Sequence, residues 1–362
     1  GGLIAQLHVA LAPIQHPAMA RTHRWDLASA DALWEKVPLI EQADRRRLLD
    51  QAFQLWSAVA KPALPALPHG LIHGDLNDDN LFIDQDGLCG ILDFGDCLEN
   101  PLVCDLAIAL AYLLLDEPEP LDAGARIVAG YHAVRPLTAE ELEALFPLVC
   151  GRLAVSLVTS AERRRLDPHR AGWFVTEARG WRALEGYLDL DPIHVCDRLA
   201  ARTDVQPYPD RGAAADGLLR RRKARFSGAL GLSYQEPVKF IRGRGAYLLD
   251  EKGWPFLDLY NNVCHVGHCH PQVVAAGQRQ MAKLNTNTRY LYDGLLDYAD
   301  RLCATLPPTL QHCFFVNSGS EANELALRLA FTHTGHRDLL VVENAYHGHT
   351  NTLIDISPYK FM

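Results

Sequence analysis

The chain has 362 residues, 48% of them hydrophobic and 22% charged, with a formal net charge of −9 at pH 7. That length allows two domains or slightly more, and the composition is that of a globular chain able to bury large cores. The acidic balance excludes nucleic acid as the main partner, because no basic field is present to neutralise phosphates.

In chain order, residues 3–11 and 44–60 read as helices, and "KPALPALPHG" is a Pro-broken connector into "LIHGDLNDDNLFI". This stretch sets Asp75, Asn77, Asp78, Asp79 and Asn80 between two strand-like apolar segments. Asp and Asn favour turns by bonding the local backbone, so a solvated turn alone would account for it. "GILDFGD", a few residues on, adds a short apolar strand that ends in Asp-Phe-Gly. Together the two stretches fit phosphoryl transfer. That chemistry needs a carboxylate to orient the attacking hydroxyl and accept its proton, and hard oxygen ligands for Mg²⁺. Asp75 suits the base, Asn80 can offer a carbonyl oxygen to the metal, and Asp93 is the expected main Mg²⁺ carboxylate.

The pair of motifs resembles the kinase catalytic loop and its Asp-Phe-Gly metal site. With His-Gly-Asp in place of His-Arg-Asp, it is similar to the aminoglycoside phosphotransferase and choline kinase group, hydroxylysine kinases included. The resemblance implies an α+β, mostly helical kinase-like C-lobe over residues 1–205, with Mg²⁺ and ATP. It also gives Asp105, the only charge in "PLVCDLAIALAYLLL", a structural role beneath the catalytic loop. The apolar run inside that segment, residues 106–115, is the longest in the chain and too short to span a bilayer.

Helical patterns dominate residues 139–202, after which Pro, Gly and Asp accumulate and residues 206–217 read as a linker. The basic run Arg220, Arg221, Arg222, Lys223 and Arg225 reads as a solvated helix face. "GRGAYLLDEKGWPFLDLYNN" alternates around a Lys-Gly turn as a β-hairpin would. "CHVGHCHP" crowds Cys264, His265, His268, Cys269 and His270 into one segment with no second pair at zinc-finger distance, so a metal site is not expected. Residues 313–316 read as a strand, and a polar turn leads to a helix with Ala322, Leu325, Ala326, Leu329 and Ala330 on one face. Small residues at a helix N-terminus leave backbone N–H groups and the positive dipole end open to a phosphate. A second apolar strand, residues 339–342, leads to Tyr346, His347 and Gly348, where a ring could stack on a planar cofactor.

This second half resembles the class III, fold-type I aminotransferases, which bind pyridoxal phosphate. "NNVCHVGHCHP", "NTNTRYLYD" and "ISPYKF" make it similar to the ethanolamine-phosphate and phosphohydroxylysine phospho-lyases of that class. The resemblance implies an incomplete α/β large domain over residues 218–362 and a homodimer formed through it. It also implies that Gly319 and Ser320 hold the cofactor phosphate, Tyr346 stacks on the pyridine ring and His347 lies beside it.

Each resemblance also implies parts that the sequence does not show. Before Asp75 the only lysines are Lys36 and Lys61, neither in a strand suited to nucleotide phosphates, and after Tyr346 only Lys360 follows. The expectation is an internal piece of a bifunctional protein, without its nucleotide lobe or Schiff-base lysine and inactive by itself. The pairing suggests that a small amino alcohol, ethanolamine or 5-hydroxylysine, is phosphorylated and then loses phosphate and ammonia. A transaminase joined to an antibiotic-type kinase, or a non-catalytic scaffold, are the competing expectations. Nine scattered cysteines and no secretory signal pattern point to reduced thiols in the cytoplasm, without a membrane partner.

Overall fold

The computed structural model describes the chain except residues 86, 168–176, 210, 233, 262–264 and 360–362. Cys264 and Lys360 therefore lie outside the described residues. The chain divides into two compact units, Gly1–Gly277 and Gln278–Met362.

The first unit opens with α1 (Gly2–Leu11) and α2 (Ala43–Leu55), the latter continued by a wider turn at Trp56–Ala60. Four short strands follow: β1 (His69–Ile72), β2 (Leu81–Asp84), β3 (Gly87–Ile91) and β4 (Leu98–Pro101). They form two separate antiparallel pairs, β1 with β4 and β2 with β3. The acidic stretch and the Asp-Phe-Gly turn thus occupy the connections of two small ribbons. Next come α3 (Val103–Leu113), α4 (Pro120–His132), α5 (Ala139–Leu166), α6 (Glu177–Leu188) and α7 (Pro192–Ala200). The architecture here is mostly helical with small sheets.

The core forms around α5. Its N-terminus is a capping box, in which the Thr138 hydroxyl accepts from Glu141 N at 3.2 Å and the Glu141 carboxylate accepts from Thr138 N at 3.0 Å. By length and apolarity α5 could cross a bilayer, but 83% of its apolar window is buried inside the protein. It is a core helix, packed by α3, α2, α6, α7 and the turn after α2. The charges it buries, Glu141, Glu143 and Arg152, each have an ionic partner.

The same unit continues through α8 (Ala215–Arg225), which carries the basic run and buries none of its residues. The expected hairpin is a three-stranded antiparallel sheet of β5 (Phe240–Arg244), β6 (Tyr247–Asp250) and β7 (Pro255–Leu257). The Lys252-Gly253 turn joins β6 to β7 as expected, with Gly253 at φ +91°, where a Cβ would be strained. Then comes α9 (Pro271–Lys283), which runs into the second unit.

The second unit holds α10 (Asp293–Cys303), α11 (Gly319–Thr334) and α12 (Asn351–Asp355). Two expectations fail here. Residues 313–316 and 339–342, read as strands from their apolar runs, form none. A strand exists by its ladder, and neither segment has a pairing partner among the described residues. Most of their side chains face solvent: Phe314 is 66% exposed and Val342 76%. The helix with the small-residue N-terminus does form where expected, although none of its residues is buried.

Candidate active sites

In the first unit the site is built on a buried carboxylate. Asp105, in the first turn of α3 and fully buried, accepts hydrogen bonds from His73 N at 2.7 Å and Gly74 N at 2.9 Å. The ring of His8, from α1, lies 3.0 Å from the same carboxylate through Nε2. The other ring nitrogen of His8 lies 2.7 Å from the Tyr131 hydroxyl. Burial pushes the Tyr131 phenol well above its usual range, so the hydroxyl keeps its proton. The His8 ring therefore bridges the Tyr131 hydroxyl and the Asp105 carboxylate. The chain Tyr131–His8–Asp105 thus pins the backbone that leads into Asp75. Asp105 was expected beneath this loop; His8 and Tyr131 were not.

His73 is also fully buried and links the loop to the second motif. Its Nε2 lies 2.8 Å from Leu92 O, and Nδ1 accepts from Asp75 N at 3.3 Å. Between them Gly74 adopts φ +84°, and a Cβ there would sit 2.6 Å from Asp96 O. His-Gly-Asp thus has a steric cause: the backbone of the Asp-Phe-Gly turn occupies the space a side chain would need. Gly74→Ala is expected to lower stability by at least about 1 kcal/mol, through strain and this clash. Denaturant unfolding measures it, and a wild-type midpoint would contradict the packing.

The three expected residues gather at one end of the β2–β3 ribbon. Asn80 Nδ2 donates to Asp75 O at 2.8 Å, which fixes the amide and leaves its Oδ1 without a protein donor among the described residues. Leu81 pairs with Ile91, and Leu92 N donates to Asn80 O at 2.9 Å, so Asp93 emerges directly beyond Asn80. Asp93 takes the left-handed conformation, φ 57°, which Asp tolerates better than most side chains. It caps the following turn by accepting from Gly95 N at 3.2 Å and is otherwise exposed.

Asp75 is held from a distance. Arg152, on α5 and 1% exposed, donates to Asp75 Oδ1 at 2.5 Å, while Asn77 Nδ2 donates to Oδ2 at 3.1 Å. Arg152 also donates to Trp25 O and lies over the rings of Trp25 and Tyr112. The Asp-Phe-Gly turn is clamped in turn by Arg21, which donates to Cys97 O at 2.9 Å and Gly95 O at 2.5 Å. His23 Nε2 lies 3.0 Å from Asp96. No local pattern marked Arg152, Arg21 or His23.

In the second unit, Gly319 and Ser320 begin α11, whose N-cap Ser318 accepts from Glu321 N at 3.2 Å. The first two amides of the helix have no acceptor among the described residues, and a Cβ on Gly319 would meet only open space. The loop of Tyr346, His347 and Gly348 lies directly on this helix end. His349 N donates to Ser320 Oγ at 3.1 Å, and Asn323 Nδ2 donates to His347 O at 2.8 Å. Gly348 is at φ +145°, with a Cβ position 2.7 Å from Ser320 Oγ, so only glycine allows the contact. His347 Nε2 is buried with no partner among the described residues, and the Tyr346 hydroxyl lies 2.8 Å from His349 Nε2. All four expected residues are therefore brought together. An open cradle, free amides, a ring and an orphaned polar atom suit a phosphorylated planar cofactor. Oxygen donors from Asn80 and Asp93 likewise suit a hard divalent cation. Among the described residues no group of three or more His, Cys, Asp or Glu gathers as a metal cluster, at His265–His270 or elsewhere.

Comparison with known proteins separates the two halves. Residues 1–142 match the phosphotransferase enzyme family, and residues 233–360 match aminotransferase class III. The first half is similar to hydroxylysine kinase of Mus musculus, 32% identical over 204 residues, covering 52% of this chain and 54% of the mouse protein. The second is similar to ethanolamine-phosphate phospho-lyase homolog 1 of Caenorhabditis elegans, 47% identical over 145 residues, with 40% and 31% covered. It is also similar to an alanine–glyoxylate aminotransferase 2-like protein of Drosophila melanogaster, 53% identical over 126 residues, with 35% and 26% covered. The chain thus spans about half the length of the kinase relative and a third or less of the other two. Its first part is thus similar to the phosphotransferase enzyme family and its second to the class III aminotransferases.

Proposed function

We propose that the intact protein phosphorylates the hydroxyl of a small amino alcohol or hydroxylated amino acid with ATP. It then eliminates phosphate and ammonia from the product with pyridoxal phosphate. The observation that carries the first reaction is the convergence of Asp75, Asn80 and Asp93 at one ribbon end above buried Asp105. Asp75, steadied by Arg152 and Asn77, accepts the proton of the attacking hydroxyl. Asn80 and Asp93 would hold Mg²⁺, which neutralises phosphate charge when bound. In the second segment the amides of Gly319 and Ser320 would bind the cofactor phosphate, with Tyr346 against the ring and His347 beside it. The cofactor supplies an electron sink when bound.

The division follows residues 1–205 and 218–362 about the 206–217 linker, with the second part the start of a fold-type I large domain. The kinship to a phospho-lyase homologue and to a hydroxylysine kinase supports the pairing of reactions. The higher identity to the aminotransferase 2-like protein favours a second reading, transamination in place of elimination. Both are tested with the intact protein, ATP, Mg²⁺, pyridoxal phosphate and ethanolamine or 5-hydroxylysine. The expected result is a phosphorylated intermediate followed by inorganic phosphate. Asp93→Asn should abolish the phosphorylation while phosphate release from added phosphoethanolamine persists. Retained phosphorylation in that variant would overturn the metal assignment; amino-group transfer without phosphate release would establish the second reading.

A further inference from the structure

The match to class III aminotransferases begins at residue 233, so the β5–β7 sheet belongs to the second segment. Yet it packs against helices of the first. Glu143, on α5, is buried at 6% exposure, and its ionic partner among the described residues is Arg242 of β5. The other Glu143 oxygen accepts from Tyr208 N at 3.2 Å, and the Arg242 guanidinium lies 5.2 Å from the centre of the Tyr208 ring. Two strand residues further, Arg244 donates to Val59 O at 2.9 Å, at the end of α2's wide turn. At the other end of the sheet, Ile193 N of α7 donates to Lys252 O at 2.9 Å. The adjoining Gly253 approaches α7 so closely that a Cβ would lie 3.0 Å from Ile193 and 3.1 Å from Pro192. Leu249 is 2% exposed, and Ile241, Tyr247 and Trp254 pack against the core of the unit.

A carboxylate buried in a core helix is strongly destabilising unless it is paired. Here the paired charge comes from the far side of the linker. We propose that β5–β7 is an intramolecular docking element: the α5–α7 face of the phosphotransferase segment is a binding surface whose partner is the first sheet of the aminotransferase segment. Glu143–Arg242 is its central anchor and the Gly253 turn on α7 its second foothold. The start of the second segment is thus part of the folded body of the first. The inference rests on the family boundary and the packing, and on neither proposed reaction.

The test uses the whole chain with Glu143→Gln, Arg242→Gln, the double variant and Arg242→Lys. Amide hydrogen exchange is read in β6 and α7, and denaturant unfolding in parallel. Arg242→Gln leaves Glu143 buried without its cation, and is expected to speed exchange in β6 at least about tenfold and to expose the 206–217 linker to protease. The double variant should lose less stability than the sum of the single ones, and Arg242→Lys should recover part of the protection. Arg135→Gln, which breaks the buried Glu141 pair of the same helix away from the sheet, is the control for general destabilisation. Additive losses, β6 exchange unchanged in Arg242→Gln, or an equal rise in β6 exchange in the control would each overturn the proposal.

Discussion

Asp75→Asn is expected to lower the turnover of phosphorylation by about 10²–10⁴-fold, the usual worth of a positioned general base, with little change in ATP affinity. The geometry explains the separation of the two effects. Asp75 sits at the loop with one oxygen on Arg152 and the other on Asn77, and its backbone carbonyl carries the Asn80 amide. An asparagine of the same shape keeps the carbonyl toward Arg152 and leaves Asn80 in place, so the proposed metal ligands persist. What it lacks is a basic oxygen for the proton of the acceptor hydroxyl. Initial rates at saturating ATP, with nucleotide affinity measured separately, decide the matter. A large loss of ATP affinity with normal turnover would remove Asp75 from the base role.

The largest expected effect on stability belongs to Asp105→Ala. Deleting this carboxylate strands the amides of His73 and Gly74 and the ring of His8, all in a site closed to water. Removing one member of a buried, hydrogen-bonded charged set costs roughly 3–5 kcal/mol, a large part of the stability of a typical domain. Denaturant unfolding should show that loss. Asp105→Asn, which retains one acceptor oxygen and the volume, should lose less but still loosen the loop. A cost below about 1 kcal/mol for the alanine variant would mean that the Asp75 loop is held by something other than this bracket.

The residues proposed for both sites could be singled out in the sequence because they are near neighbours along the chain. Asp75 and Asn80 are five residues apart and joined by a single hydrogen bond. Gly319 and Ser320 open one helix, and Tyr346, His347 and Gly348 share one loop. Residue type and local order were enough to choose them. The glycine of His-Gly-Asp was visible as a departure from the kinase pattern, but its reason was not. That reason is the carbonyl of Asp96, which reaches Gly74 only when β1 and β4 pair.

By itself, then, the sequence pointed to the two families it resembles, the order of those segments and the residues proposed for chemistry, since these are written in short contiguous motifs. Tertiary structure alone decided what supports them. Arg152 reaches Asp75 across 77 positions and His8 reaches Asp105 across 97, and nothing periodic marks such partners in advance. It also decided that residues 313–316 and 339–342 are not strands, because an apolar run becomes a strand only when a neighbour supplies the ladder. The docking of β5–β7 on α5 belongs to the same class, for a buried carboxylate selects whichever cation the fold brings to it.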